Sequence, residues 1–290
     1  MKTKWKLALS ILIVLTFSSG IFLYFVFSKV GAFFDKTYKP IEANQPEDSL
    51  LKNADKILHV LLMGVDERPN DKGRPDVIMV MEINPKTNQT QLISIPRDTK
   101  VRIPGRKEMT KLNHAYTYGD VALTVQTIQQ LLDIKIEYYA KVNMNGFEKV
   151  IDKIGPLTVD NDLAFTYKNV DFPVGTIELS SEEVLPYVRM RKDDPLGDGG
   201  RNIRQRKVVN SAVEKVVENR DYLKMLGLLE EISPYFEWNV QERDLKTLFA
   251  HYLPALKNIE LKSLPGEGEL EKTGVWYFVP DHPSEVFHEK

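Results

Sequence analysis

An uncharged run from Leu7 to Ser28 limits what this chain can fold into more than any other feature. As an α-helix at about 1.5 Å per residue it would reach roughly 33 Å, enough to cross the hydrocarbon core of a bilayer. Lys2, Lys4 and Lys6 precede it, which predicts a cytoplasmic N-terminus and an extracellular remainder. The run has no polar face and no clear cleavage site after Gly20, which favours an uncleaved anchor over a signal peptide or a buried soluble helix.

Composition divides the rest of the chain. The stretch after the apolar run is polar and contains two prolines (KPIEANQPEDS), as linkers do. The absence of cysteine excludes disulfides and a thiolate nucleophile, and the absence of an HExxH or paired-histidine pattern argues against a zinc hydrolase. The predicted divisions are a cytoplasmic N-terminus (1–6), a transmembrane anchor (7–28), a juxtamembrane linker (29–56) and one extracellular domain (57–290), with a motif-rich part (57–210) and a helical and strand C-terminal part (211–290).

Three apolar runs of strand length predict the centre of a sheet. They are ILHVLLMGV (57–65), DVIMVMEINP (76–85) and TQLISIPRDT (90–99). Asp120 is predicted to cap a core helix, and strand and helix patterns alternate from Tyr138 to Val159. Near the C-terminus, GEGELEK (266–272) is predicted to be a turn. The expected fold is α/β or α+β, with a central mixed β-sheet flanked by helices on both sides.

The ends of these strands carry many carboxylates and guanidinium groups. Because sites on mixed sheets are built at strand ends and in loops, these side chains are candidates for one site. Asp66 and Asp76 would supply the one or two carboxylates that Mg²⁺ uses together with phosphate oxygens. Taken singly, each is also consistent with a loop salt bridge. The set comprises Asp66, Arg68, Arg74, Asp76, Arg97 and Asp98.

A second concentration of positive charge lies in YVRMRKDDPLGDGGRNIRQRK (187–207), although the whole chain has a formal net charge of −2. Several guanidinium forks together hold a diphosphate, and the glycine-broken loop is predicted to precede a helix N-terminus, which also favours anions. A solvated, salt-bridged surface turn is the alternative. Pro186, just before the stretch, predicts a shortened or bent helix. The candidate anion-binding residues are Arg189, Arg191, Arg201, Arg204 and Gln205.

Five sequence blocks, in this order, resemble the LytR-CpsA-Psr family of cell-wall ligases. The blocks are LLMGVDERPNDKGRPDVIMV, LISIPRDTKVRIPG, KLNHAYTYGD, MNGFEKVIDKIGPLTVD and YVRMRKDDPLGDGGRNIRQRKVV. The resemblance implies a single-pass enzyme in the cell membrane of a Gram-positive bacterium. Such an enzyme transfers a glycopolymer, wall teichoic acid, from a polyprenyl diphosphate carrier to the muramic acid 6-hydroxyl of peptidoglycan, and it releases polyprenyl phosphate.

The resemblance also implies roles for particular residues. The lipid tail would lie in an apolar tunnel between the sheet and the helices, and Asp66 and Asp76 would hold magnesium. The residues implied to bind the diphosphate are Arg74, Arg97, Arg189, Arg191 and Arg201, with Arg204 and Gln205 closing the motif.

Chemistry at phosphorus adds the catalytic candidates. A general base would help the acceptor hydroxyl attack in line, and Asp98 and Asp198 are the candidates beside Arg97 and Arg191, with Asp198 slightly favoured; a metal-bound route without a protein base is the alternative. Hydrolysis of the lipid-linked diphosphate and non-catalytic binding of anionic polymer are competing functions. A nucleic-acid partner is disfavoured, because the basic stretch is predicted to lie outside the cell and no aromatic residues alternate with its arginines.

Overall fold

The structure is a computed structural model that describes residues 26, 28–41, 54–67, 71–218 and 221–287. Nearly all of the predicted anchor (7–28) and the side chain of Arg68 lie outside these residues. Within them, no helix is both long enough and apolar enough to cross a membrane.

The strands form one large sheet and several two-stranded ribbons. Their bounds are β1 (Leu58–Val65), β2 (Pro75–Asn84), β3 (Gln89–Ser94), β4 (Lys100–Arg102), β5 (Met109–Lys111), β6 (Tyr138–Asn143), β7 (Leu157–Asn161), β8 (Phe165–Tyr167), β9 (Val170–Phe172), β10 (Gly175–Leu179), β11 (Phe236–Trp238), β12 (Ile259–Ser263), β13 (Gly266–Leu270) and β14 (Trp276–Pro280).

The central sheet has six strands in the order β11-β6-β1-β2-β3-β12. β1 pairs antiparallel with β2 and parallel with β6, β2 pairs antiparallel with β3, and β3 pairs parallel with β12. The predicted mixed sheet is therefore confirmed. The apolar run at 57–65 forms its central strand because both faces of β1 are covered: Leu61 and Met63 join one core cluster, and Leu58 and Leu62 join another.

Helices cover the sheet on both sides, as predicted. They are α1 (28–37), α2 (His114–Leu132), α3 (Met144–Ile154), α4 (Ser181–Arg189), α5 (Asp198–Glu218) and α6 (Tyr222–Ile232). Val121, Val125 and Ile128 of α2 pack against the Leu61 face. Val209 and Val213 of α5, together with short helical turns between Leu245 and Lys257, lie against the Leu58 face.

The structure differs from the predicted linker at its beginning. Phe33 and Phe34 of α1 are buried and contact the aromatic rings of Phe236 and Trp238. The Lys39 amide then donates to the Trp238 carbonyl over 2.8 Å. Residues 28–41 therefore belong to the folded unit, because Val30, Phe33 and Phe34 lie at helical spacing and give this short helix one apolar face that can be buried.

Two local predictions also needed correction. TQLISIPRDT forms a strand only as far as Ser94, and its last residues form a turn. GEGELEK, predicted as a turn, contains strand β13, which pairs with β14. Pro186, predicted to shorten or bend its helix, lies inside α4, which ends at Arg189.

Candidate functional site

Two cavities of opposite character meet at Asp76. A polar cleft of about 960 Å³ is lined by residues that include Asp66, Arg74, Asp76, Arg97 and Asp98. An apolar cavity of about 590 Å³ lies between the sheet and helices α3 to α5, and its lining also includes Asp76, together with Val77, Val142, Phe147, Val209 and Val213. The predicted strand-end residues are thus brought together where the polar cleft meets the apolar cavity.

Arg97 lines the polar cleft and contacts Asp76 at this junction. It donates a hydrogen bond to the Asp76 carboxylate, and its Nε lies 3.6 Å from Asp98. Burial on its own would lower the pKa of Arg97, but the carboxylate of Asp76, followed by Asp98 and Asp198, raises it overall. The guanidinium is therefore fixed in place and fully charged.

Helix α5 brings the second group of residues to the same place. Asp198, in its first turn, accepts a hydrogen bond from Arg201 over 2.8 Å and lies 2.8 Å from Nε of Arg191. Burial lowers the pKa of Arg201; Asp198 acts in the opposite direction, and Arg97 and Arg191 lower it further. These like charges are close enough to repel one another, so the strand-end group and the glycine-loop group form one cluster.

The cluster has unused capacity for an anion. Three guanidinium groups (Arg97, Arg191 and Arg201) lie among the carboxylates of Asp76 and Asp198, and Asp98 lies 3.6 Å from Arg97. Nε of Arg97 and Nε of Arg201 are buried and make no hydrogen bond. Buried donors are rarely left unsatisfied in proteins, so a ligand with several acceptor oxygens fits here.

The backbone at Gly73 and Arg74 packs against the backbone of Asp66 and fixes its position. The Asp66 amide donates to the Arg74 carbonyl, and a side chain at Gly73 (φ 65°) would come within 2.2 Å of the Asp66 carbonyl. The next residue, Glu67, accepts hydrogen bonds from the buried Lys141 over 2.9 Å and from the Tyr116 hydroxyl over 3.1 Å. The Asp66 carboxylate lies 3.7 Å from Arg189, which lines the apolar cavity.

Arg204 does not belong to the anion cluster, contrary to the prediction. Its Nε donates to the Tyr187 carbonyl over 3.1 Å, and its two terminal nitrogens donate to Asp194 and to the Met190 carbonyl, each over 2.6 Å. Each nitrogen is thus already used within the protein. Arg204 holds the turn between α4 and α5, and Gln205 next to it lines the apolar cavity. Both share the expected helix, but neither faces the polar cleft.

Sequence reasoning did not single out several residues of the polar cleft, and Lys111, His114 and Tyr118 are three of them. Lys111 lies 2.9 Å from Asp98, and His114 and Tyr118 line the cleft beside it. Burial lowers the pKa of His114, and the positive charges of Arg74 and Lys111 lower it further, although the carboxylate of Asp98 acts in the opposite direction. All three lie in the block KLNHAYTYGD, whose polar residues beside a strand end were the available signal.

The residues present are compatible with one magnesium ion, but they do not form a complete cage. Asp66 and Asp76 lie at the ends of paired strands β1 and β2 and line the same cleft. Among the residues that the structure describes, no group of three or more acidic or histidine side chains has the geometry to hold a metal. Two carboxylates suit Mg²⁺ only if phosphate oxygens and water complete its shell.

The two candidate bases differ in where they lie. Asp198 is held between Arg191 and Arg201, where it orients both guanidinium groups. Asp98 lines the polar cleft, next to Lys111. Asp98 is also close to two cations, Lys111 and Arg97, so the two candidates differ in that Asp98 lines the polar cleft and Asp198 does not.

Fold and site together define an α/β domain in which an arginine- and aspartate-rich cluster lies between a polar cleft and an apolar cavity. The model of the LytR_cpsA_psr family matches residues 24–288. The chain belongs to the LytR-CpsA-Psr family.

Relatives with names and structures refine this placement. The polyisoprenyl-teichoic acid--peptidoglycan teichoic acid transferase TagU of Bacillus cereus (strain AH820) is 37% identical over 276 residues, which cover 94% of this chain and 91% of that one. The crystal structure of Bacillus subtilis TagU is 34% identical with a TM-score of 0.64, covering 80% of this chain and 94% of that chain. A structure of TagT bound to LIIa-WTA is 28% identical with a TM-score of 0.68, covering 83% and 94%.

Proposed function

We propose that this protein transfers wall teichoic acid from a polyprenyl diphosphate carrier to the muramic acid 6-hydroxyl of peptidoglycan. The acceptor oxygen forms a bond to the phosphorus that carries the polymer, and the bond from that phosphorus to the bridging oxygen breaks. Polyprenyl phosphate leaves with the electron pair, and the acceptor proton passes to a base. The similarity to TagU transferases supports the reaction class and the polymer.

One observation carries this proposal: the anion cluster lies where an apolar cavity meets a polar cleft, with Asp76 in the lining of both. A lipid-linked sugar diphosphate has the same order of parts, an apolar chain, two phosphates and a polar glycan. The polyprenyl chain would fill the cavity under α5, and the glycan would extend into the cleft. A soluble nucleotide or sugar phosphate has no apolar chain that would occupy the apolar cavity.

The residues of the site have separate roles in the proposed reaction. Arg97, Arg191 and Arg201 bind the diphosphate oxygens and stabilise the charge that develops on the leaving phosphate, and Arg74 and Arg189 bind at the edges of the cluster. Asp198 orients two of these arginines. Asp98, facing the cleft from which the acceptor must come, takes the proton, and Lys111 holds its carboxylate.

Magnesium is part of the proposal, held by Asp66 and Asp76 with the substrate phosphates. A bound Mg²⁺ would neutralise phosphate charge and polarise the phosphoryl oxygens. We expect Mg²⁺ to raise the Tm of the protein in the presence of geranylgeranyl diphosphate, because a ligand that binds only the folded state stabilises it. Asp66→Asn should abolish the Mg²⁺-dependent part of the shift, whereas an equal shift in that variant would remove Asp66 from the metal site.

The proposed setting is the outer face of the cell membrane, with the segment 7–28 as a single-pass anchor. The lipid carrier and the enzyme would then share one two-dimensional phase, which raises their effective concentration.

The deciding experiment supplies purified protein with a lipid-linked teichoic acid precursor, with and without peptidoglycan glycan strands. We expect polyprenyl phosphate release to depend on the acceptor and polymer to become covalently attached to it. Release at the same rate without acceptor would show a hydrolase, and binding without release would show a receptor for anionic polymer.

A further inference from the structure

The block KLNHAYTYGD contains an exposed aromatic side chain that the diphosphate chemistry does not use. Tyr118 lines the polar cleft and is 44% exposed. The guanidinium of Arg106 lies 3.8 Å from the centre of its ring, and the His114 ring approaches at 6.1 Å in an edge-on arrangement. Tyr118 thus presents an aromatic ring in a cleft lined mainly by polar side chains, where an exposed ring without a ligand gains little.

The backbone that presents Tyr118 is irregular. Helix α2 is interrupted at Gly119 and Asp120, and Asp120 has φ 59° and ψ −153°, a region that is almost restricted to glycine. Its side chain accepts a hydrogen bond from the Val121 amide over 2.9 Å and restarts the helix, as the sequence predicted. A side chain at Gly119 would come within 2.6 Å of Leu123. The break separates the turn that carries His114 and Tyr118 from the core helix, so this turn faces the cleft.

The position of this turn indicates what it contacts. Lys111, which pairs with Asp98, comes just before the turn, and the Thr110 hydroxyl lies 2.7 Å from Nδ1 of His114. A path along the cleft wall therefore leads from Asp98 past Lys111 and His114 to Tyr118. The group that must reach Asp98 is the acceptor hydroxyl, because in-line attack places the nucleophile opposite the leaving lipid phosphate.

From this geometry we infer that Tyr118, stacked on Arg106, is a sugar-binding platform for the acceptor glycan strand. Pyranose rings present apolar C–H faces to aromatic rings, and the carboxyl-bearing substituents of muramic acid suit the positive charge of Arg106, Arg74 and Lys111. The inference rests on the proposed transferase function, since it names the acceptor subsite of that reaction.

The test measures binding of teichoic-acid-free peptidoglycan glycan fragments to the full chain by calorimetry, and steady-state kinetics with the same fragments. Tyr118→Ala should weaken fragment binding by about tenfold or more, as truncation of an aromatic anchor does, and should raise the KM for acceptor without changing kcat or the KM for donor. Tyr118→Phe keeps the ring and should behave as the parent. Phe249→Ala, which removes another exposed aromatic outside the cleft, should also be unchanged.

Each other outcome has a definite meaning. Equal fragment binding by Tyr118→Ala and the parent overturns the inference, and so does a variant that loses affinity for the lipid-linked donor instead. Fragment binding is measured without turnover, so it tests the platform separately from transfer. If the protein transfers no polymer but still binds fragments in a way that depends on Tyr118, the proposed function is refuted and the sugar-binding role of Tyr118 stands. If the parent transfers polymer and Tyr118→Ala has the same fragment affinity and the same KM for acceptor, the sugar-binding role of Tyr118 is refuted and the proposed transferase function stands.

Discussion

Replacing Asp76 by asparagine is expected to lower kcat/KM for polymer transfer by about 10²- to 10³-fold, the range seen when one hydrogen-bonding group of a preorganised site is removed. Asp76 lies where the polar cleft and the apolar cavity meet and accepts a hydrogen bond from Arg97. Asparagine keeps the shape but removes the charge that fixes this guanidinium. The side chain is 32% exposed, so the fold should tolerate the change.

The control for this prediction lies in the same cleft. Asp71 also lines it, but its carboxylate accepts from the Gly73 amide over 2.9 Å and does not pair with Arg97. Asp71→Asn should therefore keep transfer within about threefold of the parent, as expected for a surface change. The measurement is the release of polyprenyl phosphate at saturating acceptor, with Tm recorded for both variants. Full activity in Asp76→Asn would contradict its place at the reacting phosphates.

Replacing Arg204 by methionine is expected to destabilise the domain by about 3–5 kcal/mol, because it leaves a buried carboxylate without its partner. Both side chains of the Arg204–Asp194 pair are almost fully buried, at 6% and 4% exposure. The same change removes two hydrogen bonds to the backbone of the turn after α4. At the usual proportion for a domain of this size, Tm should fall by roughly 10 °C.

Arg191→Met provides the matched comparison for Arg204. Its side chain is 48% exposed and contacts Asp198 at the anion cluster. We expect Arg191→Met to keep Tm within a few degrees and to lose diphosphate binding, the opposite of Arg204→Met. If instead Arg204→Met kept its Tm and lost affinity for geranylgeranyl diphosphate, Arg204 would be a diphosphate-binding residue, as the sequence motif predicted.

The contrast between these two arginines shows what a motif cannot specify. A run of arginines identifies positive charge, but which guanidinium faces a ligand depends on where carbonyl groups lie after folding. Arg204 donates hydrogen bonds to the carbonyls of Tyr187 and Met190, which lie 17 and 14 residues before it in the chain. Only the backbone path between α4 and α5 decides this, and that path depends on Gly200, where a side chain would overlap Asp194.

Elements with a strong local pattern were predicted well. The apolar runs that form β1 and β2 and the helix after Asp120 follow the sequence, because burial of a regular face determines them. Residues 29–41 were predicted as part of the linker (29–56) because the partners of Phe33, which are Phe236 and Trp238, lie about two hundred residues further along the chain. Tyr118 escaped notice for a similar reason, since its place in the cleft depends on the break at Gly119 and Asp120.

The most direct measurement is a crystal structure of the protein with a bound polyprenyl diphosphate. We expect density for both phosphates beside Arg97, Arg191 and Arg201, and continuous density for the lipid chain between α5 and the sheet, along Val209 and Val213. A diphosphate bound elsewhere on the surface, or one bound at the arginines with its chain outside the apolar cavity, would contradict the proposed arrangement of substrate and site.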